Sequence, residues 1–277
     1  MDLSDLPQHI GFVGAGNMAV AIIGGLLDAG VSADRLCAAD PSETAREKLQ
    51  LQGIASVSAR PAEPFAQANL IVLAVKPQFM ADATTSLAPQ LGPDCVVMSV
   101  AAGISTPSLK ALLNRPALPV VRCMPNTPAL VRAGASGLFA SDEVSDEQRR
   151  GVEAVMRVVG TARWLTSESH IDIATAVSGS GPAYFFAFME AMIAAGERLG
   201  LDHETAHQLT LQTALGAAIL ANTGGEPIDE LRRNVTSPGG TTERALASFE
   251  DANLSQLVDD AMQACLDRAR EMAEEFG

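Results

Sequence analysis

The run Ile10-Gly11-Phe12-Val13-Gly14-Ala15-Gly16-Asn17-Met18-Ala19 leaves this chain few ways to fold. A short apolar stretch of strand character leads straight into G-x-G-x-x-A, and a helical pattern over 17–29 follows. In such a turn the first glycine permits a tight reversal and the second lets the backbone approach a phosphate. The small sixth residue lets the helix pack close to the strand. The motif is the first strand–turn–helix of the chain, which gives it the context it needs to be specific. It predicts a helix whose free N–H groups face a pyrophosphate, with Gly14, Ala15, Gly16, Asn17, Met18 and Ala19 as dinucleotide contacts.

The pattern repeats downstream. Strands are predicted over 9–13, 35–39, 70–74, 95–99 and 119–122, with helices over 17–29, 42–52 and 78–87 between them. Shorter strands at 137–140 and 162–165 flank a helix over 145–159. Apolar strands alternating with helices indicate a mostly parallel, doubly wound sheet, an α/β Rossmann fold. After Trp164 the pattern turns helical: 182–199, 203–222, 241–249 and 254–275, with no strand of comparable character. The expected division is a dinucleotide-binding domain over 1–165 and an all-α domain over 166–277. The small, apolar stretch 214–221 suits a helix buried on most of its faces.

Composition narrows the partners. A formal charge of −14 opposes nucleic acid and anionic membrane surfaces. No apolar run reaches the roughly 18 residues of a membrane span, and the first residues lack the layout of a signal peptide. Cys37, Cys95, Cys123 and Cys265 show no paired or metal-binding spacing, so a reducing cytoplasm is expected and no metal. An acidic protein that binds anionic ligands needs local donors, and helix N-termini with glycine-rich backbone supply them without net positive charge.

Further cofactor contacts follow from position. Asp40 ends the second strand, where an acidic residue binds the adenosine ribose of NAD and repels the extra phosphate of NADP. Ser42 and Arg46 follow in the same loop and first helical turn, where they suit that phosphate; the two readings stay open. Ala74-Val75-Lys76-Pro77 ends a later strand, at the edge where open α/β sheets bind ligands. Lys76 is one of three lysines, with Lys48 and Lys110. Met124-Pro125-Asn126-Thr127-Pro128 occupies the same kind of position in a stiff, proline-framed loop that suits a nicotinamide, and Asn126 joins the predicted contacts.

In the helical half, Ser178-Gly179-Ser180-Gly181-Pro182-Ala183-Tyr184 reads as an N-cap serine, Ser180, and an N1-type proline before a long helix. Asn234-Val235-Thr236-Ser237-Pro238-Gly239-Gly240-Thr241-Thr242 precedes a shorter one. It carries more hydroxyls and glycines than a cap requires, which makes it a good carboxylate cradle. No lysine follows Lys110. Hydroxy-acid dehydrogenases must move a hydroxyl proton with a strong acid/base, whereas a cyclic imine is basic enough to arrive protonated, so imine reduction fits this half better.

In order along nearly the whole chain, the motifs at 14–19, 74–77, 124–128, 178–184 and 237–242 resemble the pyrroline-5-carboxylate reductase family. The resemblance implies reduction of 1-pyrroline-5-carboxylate to L-proline, the last step of proline synthesis, with NADPH generally preferred and NADH usable. It implies a helical domain that binds substrate and interleaves with that of a second subunit, giving a homodimer at least; a larger assembly of dimers stays open. It further implies that the loop from Thr236 to Thr242 holds the substrate carboxylate through backbone N–H groups and that Thr242 hydrogen-bonds the ring nitrogen. Asn234, Thr236, Ser237, Gly239, Gly240, Thr241 and Ser180 complete the expected substrate set.

Two other readings compete. His203-Glu204-Thr205-Ala206-His207 matches the zinc-peptidase pattern H-E-x-x-H. It follows Asp202, a natural N-cap, so it falls in the first turns of a helix, where Glu204 has an ordinary helix-dipole explanation. A dinucleotide sensor would share the glycine loop and bind the cofactor without turnover.

Overall fold

In the computed structural model, which describes residues 3–276, the described residues form an eight-stranded sheet in the order β3-β2-β1-β4-β5-β6-β7-β8. The strands are Ile10–Val13 (β1), Leu36–Ala39 (β2), Ser56–Ser58 (β3), Leu70–Leu73 (β4), Val96–Ser99 (β5), Val120–Met124 (β6), Gly134–Ala140 (β7) and Gly160–Trp164 (β8). The first six are parallel to one another; β7 pairs antiparallel with β6, Cys123 opposite Leu138, and β8 runs parallel to β7. The doubly wound, mostly parallel sheet expected from the sequence is therefore present. The strand order reverses direction between β1 and β4, which creates a crevice at their carboxyl ends.

Successive residues on each strand feed opposite faces, and residues two apart share one. Ile10, Phe12, Leu70, Val72 and Met98 pack with Ile22, Ile23 and Leu26 of the helix Asn17–Asp28 (α1), and with Val152 and Val155 of Asp146–Arg157 (α5). Val13, Ile71, Leu73 and Val97 pack on the other face with Phe65 and with Met80 and Leu87 of Met80–Leu87 (α3). Glu43–Leu51 (α2) and Thr106–Leu112 (α4) complete the layers. Ser145 and Gln148 close a capping box at the start of α5, which fixes where that helix begins.

Three elements carry too weak a pattern to be read from sequence. β3 is a polar edge strand, Ser-Val-Ser; α4 is short and starts on Ser105 and Pro107; Ile228–Asn234 (α9) spans only seven residues. The strand expected at 137–140 begins earlier, at Gly134, because pairing with β6 and β8 draws in small residues without strand propensity.

The chain divides into two compact units, Met1–Ser180 with Cys265–Gly277, and Gly181–Ala264. The strands end at Trp164, near the change of pattern expected at 165, yet the residues after it belong to the sheet unit. A buried charge cluster holds them. Arg122 on β6, 4% exposed, lies 3.2 Å from Glu168 and 3.6 Å from Asp172. Glu168 also accepts from the N–H and the hydroxyl of Thr106 at the start of α4, at 2.7 and 2.9 Å. His170–Ala174 (α6) and a π turn, Thr175–Gly179, follow directly.

The second unit contains Gly181–Arg198 (α7), His203–Thr223 (α8), α9, Thr241–Asp251 (α10) and the first turns of Leu254–Phe276 (α11). Gly196 allows α7 to approach Ala206 of α8, and Phe188 meets Phe249 with ring centroids 6.1 Å apart. Large apolar side chains nevertheless stand open in the single chain: Phe185 is 68% exposed and Leu215 54%. Leaving such a side chain in water forgoes about 1.5–3 kcal/mol each. The stretch 214–221, expected to be buried, is mostly exposed in one chain.

Gly160 starts β8 at φ 147°, and a Cβ there would lie 2.0 Å from the carbonyl oxygen of Gly134 on β7. Both neighbours are backbone and cannot yield. Gly160→Ala is predicted to cost about 3 kcal/mol or more of stability, read as a fall in the urea midpoint; an unchanged midpoint would mean that the two strands do not meet there.

Candidate active site

The switch point is built from main chain. Gly14 takes φ 97°, its N–H donates to Ala39 O at 2.8 Å, and the next strand is so close that a Cβ on Gly14 would sit 2.5 Å from Ala74 O. Glycine is required for both reasons. Gly16 is then the N-cap of α1 in extended conformation, with no side chain to satisfy the first turn. The N–H groups of Asn17, Met18 and Ala19 therefore lack intrahelical partners, and Gly16 and Asn17 are exposed. Ala15 behaves differently from its neighbours. Its N–H donates to Oδ2 of Asp40 at 2.7 Å, so it is already committed.

A cleft of about 720 Å³ opens at this end of the sheet. Of the residues predicted from sequence, Gly14, Gly16, Asp40, Ala74, Val75 and Lys76 line it. Ser42 and Arg46 do not. Ser42 caps α2 by accepting from Ala45 N, and Arg46 Nη1 donates to the carbonyls of Asp40 and Pro41, both at 2.8 Å. Arg60, Pro61, Phe79 and Asp82 also line the cleft and were not singled out from sequence. Arg60 follows the short polar strand β3, whose weak pattern hid the fact that the loop after it reaches the sheet's ligand end.

The loop at 124–128 sits at the end of β6 with Met124, Pro125 and Asn126 buried. Asn126, 9% exposed, donates from Nδ2 to Ser178 O at 3.0 Å and accepts at Oδ1 from Ala135 N at 2.9 Å. It was expected to touch the cofactor; instead its amide brackets three segments, the β6 loop, the start of β7 and the π turn. The turn Thr127–Val131 closes on Arg132, whose Nη1 donates to Ala21 O of α1 at 2.8 Å. The loop is thereby tied to the cofactor helix. Cys123, just below it, is fully enclosed, and burial pushes its thiol up to about 12; Cys37 and Cys95 are held at about 12 for the same reason. Thiols so placed are poor nucleophiles.

Ser180 does not cap a bare helix start, as the sequence suggested. α7 follows the π turn directly, the Ser180 N–H donates to Thr175 O at 2.8 Å, and its hydroxyl accepts from the Cys265 thiol at 3.3 Å. In the second unit, Gly240 is the N-cap of α10 without a side-chain cap, which leaves the N–H groups of Thr241 and Thr242 as first-turn donors. Gly239 takes φ 71°, and its N–H donates to Glu243 at 2.8 Å. Thr236 bonds back to Arg232 O and Arg233 O, and Asn234 Nδ2 donates to Glu226 at 3.1 Å. The cradle is thus narrower than expected and centres on the start of α10. The H-E-x-x-H segment begins at the first residue of α8, capped by Asp202, with His203 paired to Glu197 at 2.5 Å and Glu204 accepting from Gln208.

Comparisons with known proteins agree along the chain. Residues 168–272 match the family model for pyrroline-5-carboxylate reductase dimerisation, and residues 9–103 match that for coenzyme F420-dependent NADP oxidoreductases. A pyrroline-5-carboxylate reductase of Pseudomonas aeruginosa is 51% identical over 97% of this chain and 98% of its own length. One of Haemophilus influenzae is 42% identical over 97% of this chain and all of its own. Among solved structures, a pyrroline-5-carboxylate reductase of Coxiella burnetii superposes with TM-score 0.90 at 40% identity, covering 96% of this chain and 98% of that one. A Plasmodium falciparum pyrroline carboxylate reductase with NADP bound gives TM-score 0.83 at 28% identity, covering 96% and 98%.

Removing the Asn126 amide would strand a part-buried carbonyl and a part-buried N–H. Asn126→Ala is predicted to lower stability by about 2–4 kcal/mol, seen as a reduced midpoint in chemical denaturation. Stability within error of wild type would show that the bracket is not formed.

Proposed function

The chain belongs to the pyrroline-5-carboxylate reductase family, and we infer from that membership and from its site that it reduces 1-pyrroline-5-carboxylate to L-proline with NAD(P)H, the last step of proline biosynthesis. The observation that carries the reading is a match over 97% of the chain, which therefore runs through both the sheet unit and the helical unit.

The cleft at the switch point suits the cofactor. A cradle that a Cβ at Gly14 would fill and the open first turn of α1 together favour a pyrophosphate. When bound, the dihydronicotinamide supplies the hydride. That hydride would go to the carbon of the C=N bond, and the ring nitrogen would keep the proton with which the imine arrives, to give proline and oxidised cofactor. The chain's own groups hold and orient. The sheet unit serves as the dinucleotide-binding domain and the helical unit as the domain that binds substrate. The first-turn N–H groups of Thr241 and Thr242 take the substrate carboxylate, with Ser237, Gly239 and Gly240 shaping the loop and Asn234 and Thr236 supporting it; Ser180 is proposed separately as a substrate contact. The Thr242 hydroxyl bonds the ring nitrogen. With no lysine after Lys110, most of the acceleration comes from proximity and orientation.

The working form is a homodimer at least. The exposed Phe185 and Leu215 of the helical unit, inside the segment that matches the dimerisation model, support a second copy as cover. The free, unpaired cysteines suit a reducing cytoplasm, and no helix among the described residues is long and apolar enough to cross a membrane.

Initial rates of NADH and NADPH oxidation with 1-pyrroline-5-carboxylate should show turnover with proline as product. Thr242→Ala should lower kcat/KM for the imine about 10- to 100-fold, a loss of about 1.4–2.8 kcal/mol, with cofactor affinity retained. Full activity in the variant would remove Thr242 from the site; no turnover in the wild type, with cofactor still bound, would point to another imine or to a sensor.

A further inference from the structure

We propose that Asp40 sets the cofactor choice of this enzyme and makes it an NADH-preferring reductase. The inference deepens the reading above and rests on it.

Asp40 directly follows β2 and lines the cleft together with Gly14 and Gly16. In a doubly wound sheet this is the position that faces the adenosine ribose, where the cofactors differ by one phosphate. The side chain is fixed from two directions. Oδ2 accepts from Ala15 N at 2.7 Å, and Oδ1 accepts from Ser42 N at 2.8 Å. Its own N–H donates to Ser58 O of β3 at 3.1 Å. A carboxylate has about four lone-pair sites, so each oxygen keeps one for a ribose hydroxyl. It offers no donor to a phosphate. It also cannot swing away to make room without releasing the N–H of the glycine loop.

The residues that would accommodate a 2′-phosphate are turned elsewhere. Arg46, the first basic residue after Asp40, directs Nη1 onto the Asp40 and Pro41 carbonyls and lies outside the cleft lining. The Ser42 hydroxyl caps α2. Of the charged side chains that do line the cleft, Arg60 and Lys76 are matched by Asp40 and Asp82. Lys76 follows β4, on the far side of β1 from β2, which leaves Arg60 as the cation on the β2–β3 side of the lining. A phosphate carrying about −1.5 to −2 charge would enter a balanced lining beside a fixed carboxylate, in a chain of net charge −14. A ribose hydroxyl meets an acceptor there.

The test uses the full chain with NADH and NADPH. Dissociation constants come from calorimetric titration, and kcat/KM for each cofactor from initial rates with saturating 1-pyrroline-5-carboxylate. Wild type should favour NADH at least tenfold in both. Asp40→Ser should cut that ratio at least tenfold, chiefly through KM. Asp40→Asn, which keeps an oxygen for the Ala15 N–H, should raise NADPH affinity even where the serine variant folds poorly. Equal or better use of NADPH by the wild type would overturn the proposal, as would a cofactor ratio unchanged in Asp40→Asn. So would an Arg60→Ala variant that acquires an NADH preference the wild type lacks. Tighter NADH binding without imine turnover would support the cofactor assignment while refuting the reaction, so the two claims fail separately.

Discussion

The close approach of Gly14 to the carbonyl of Ala74, just after β4, is the constraint on which the ligand end of this protein depends. With Ala74 O where a Cβ would stand and the Gly14 N–H bound to Ala39 O, the loop is pinned to β2 and β4 at once. Asp40 adds a third tie through Ala15. Once the loop is fixed, α1 must start at Asn17 and aim its unpaired N–H groups out of the sheet. That answers the question raised by a net charge of −14. On the proposed function an anion there would be met by main-chain donors and a helix dipole, whose reach is local, so that the repulsive field of the whole molecule would matter less.

A second set of contacts ties the segment after the last strand to the sheet. Arg122 draws Glu168 and Asp172 onto β6, and Glu168 in turn caps α4 through Thr106. Asn126 joins the β6 loop to the π turn, and Arg132 joins the same loop to α1. Breaking a buried charge pair costs more than forming it gains, so such a cluster serves position more than stability. It keeps residues 165–180 with the sheet, although the sequence pattern changes at Trp164.

The sequence disclosed those features whose cause is local. Strands with two-sided apolar runs, the glycine loop and the long helices all followed from spacing and turn chemistry. What stayed hidden depends on partners distant in the chain. β3 and the first residues of β7 are strands because neighbours pair with them, and the roles of Asn126 and Ser180 are set by Ser178, Ala135 and Cys265. Arg60 could have been suspected only once a strand had been assigned to Ser-Val-Ser. In the cradle before α10 the hydroxyls and glycines were legible, but not that Thr236 and Gly239 are already bonded within the loop.

On the proposed function, main-chain N–H groups at two helix starts hold the two anions of the reaction. A crystal structure of the enzyme with oxidised cofactor and L-proline tests it most directly. The account predicts the pyrophosphate on the first turn of α1 and the proline carboxylate on the N–H groups of Thr241 and Thr242. A carboxylate held instead by an arginine side chain, or a pyrophosphate away from Gly16 and Asn17, would contradict it.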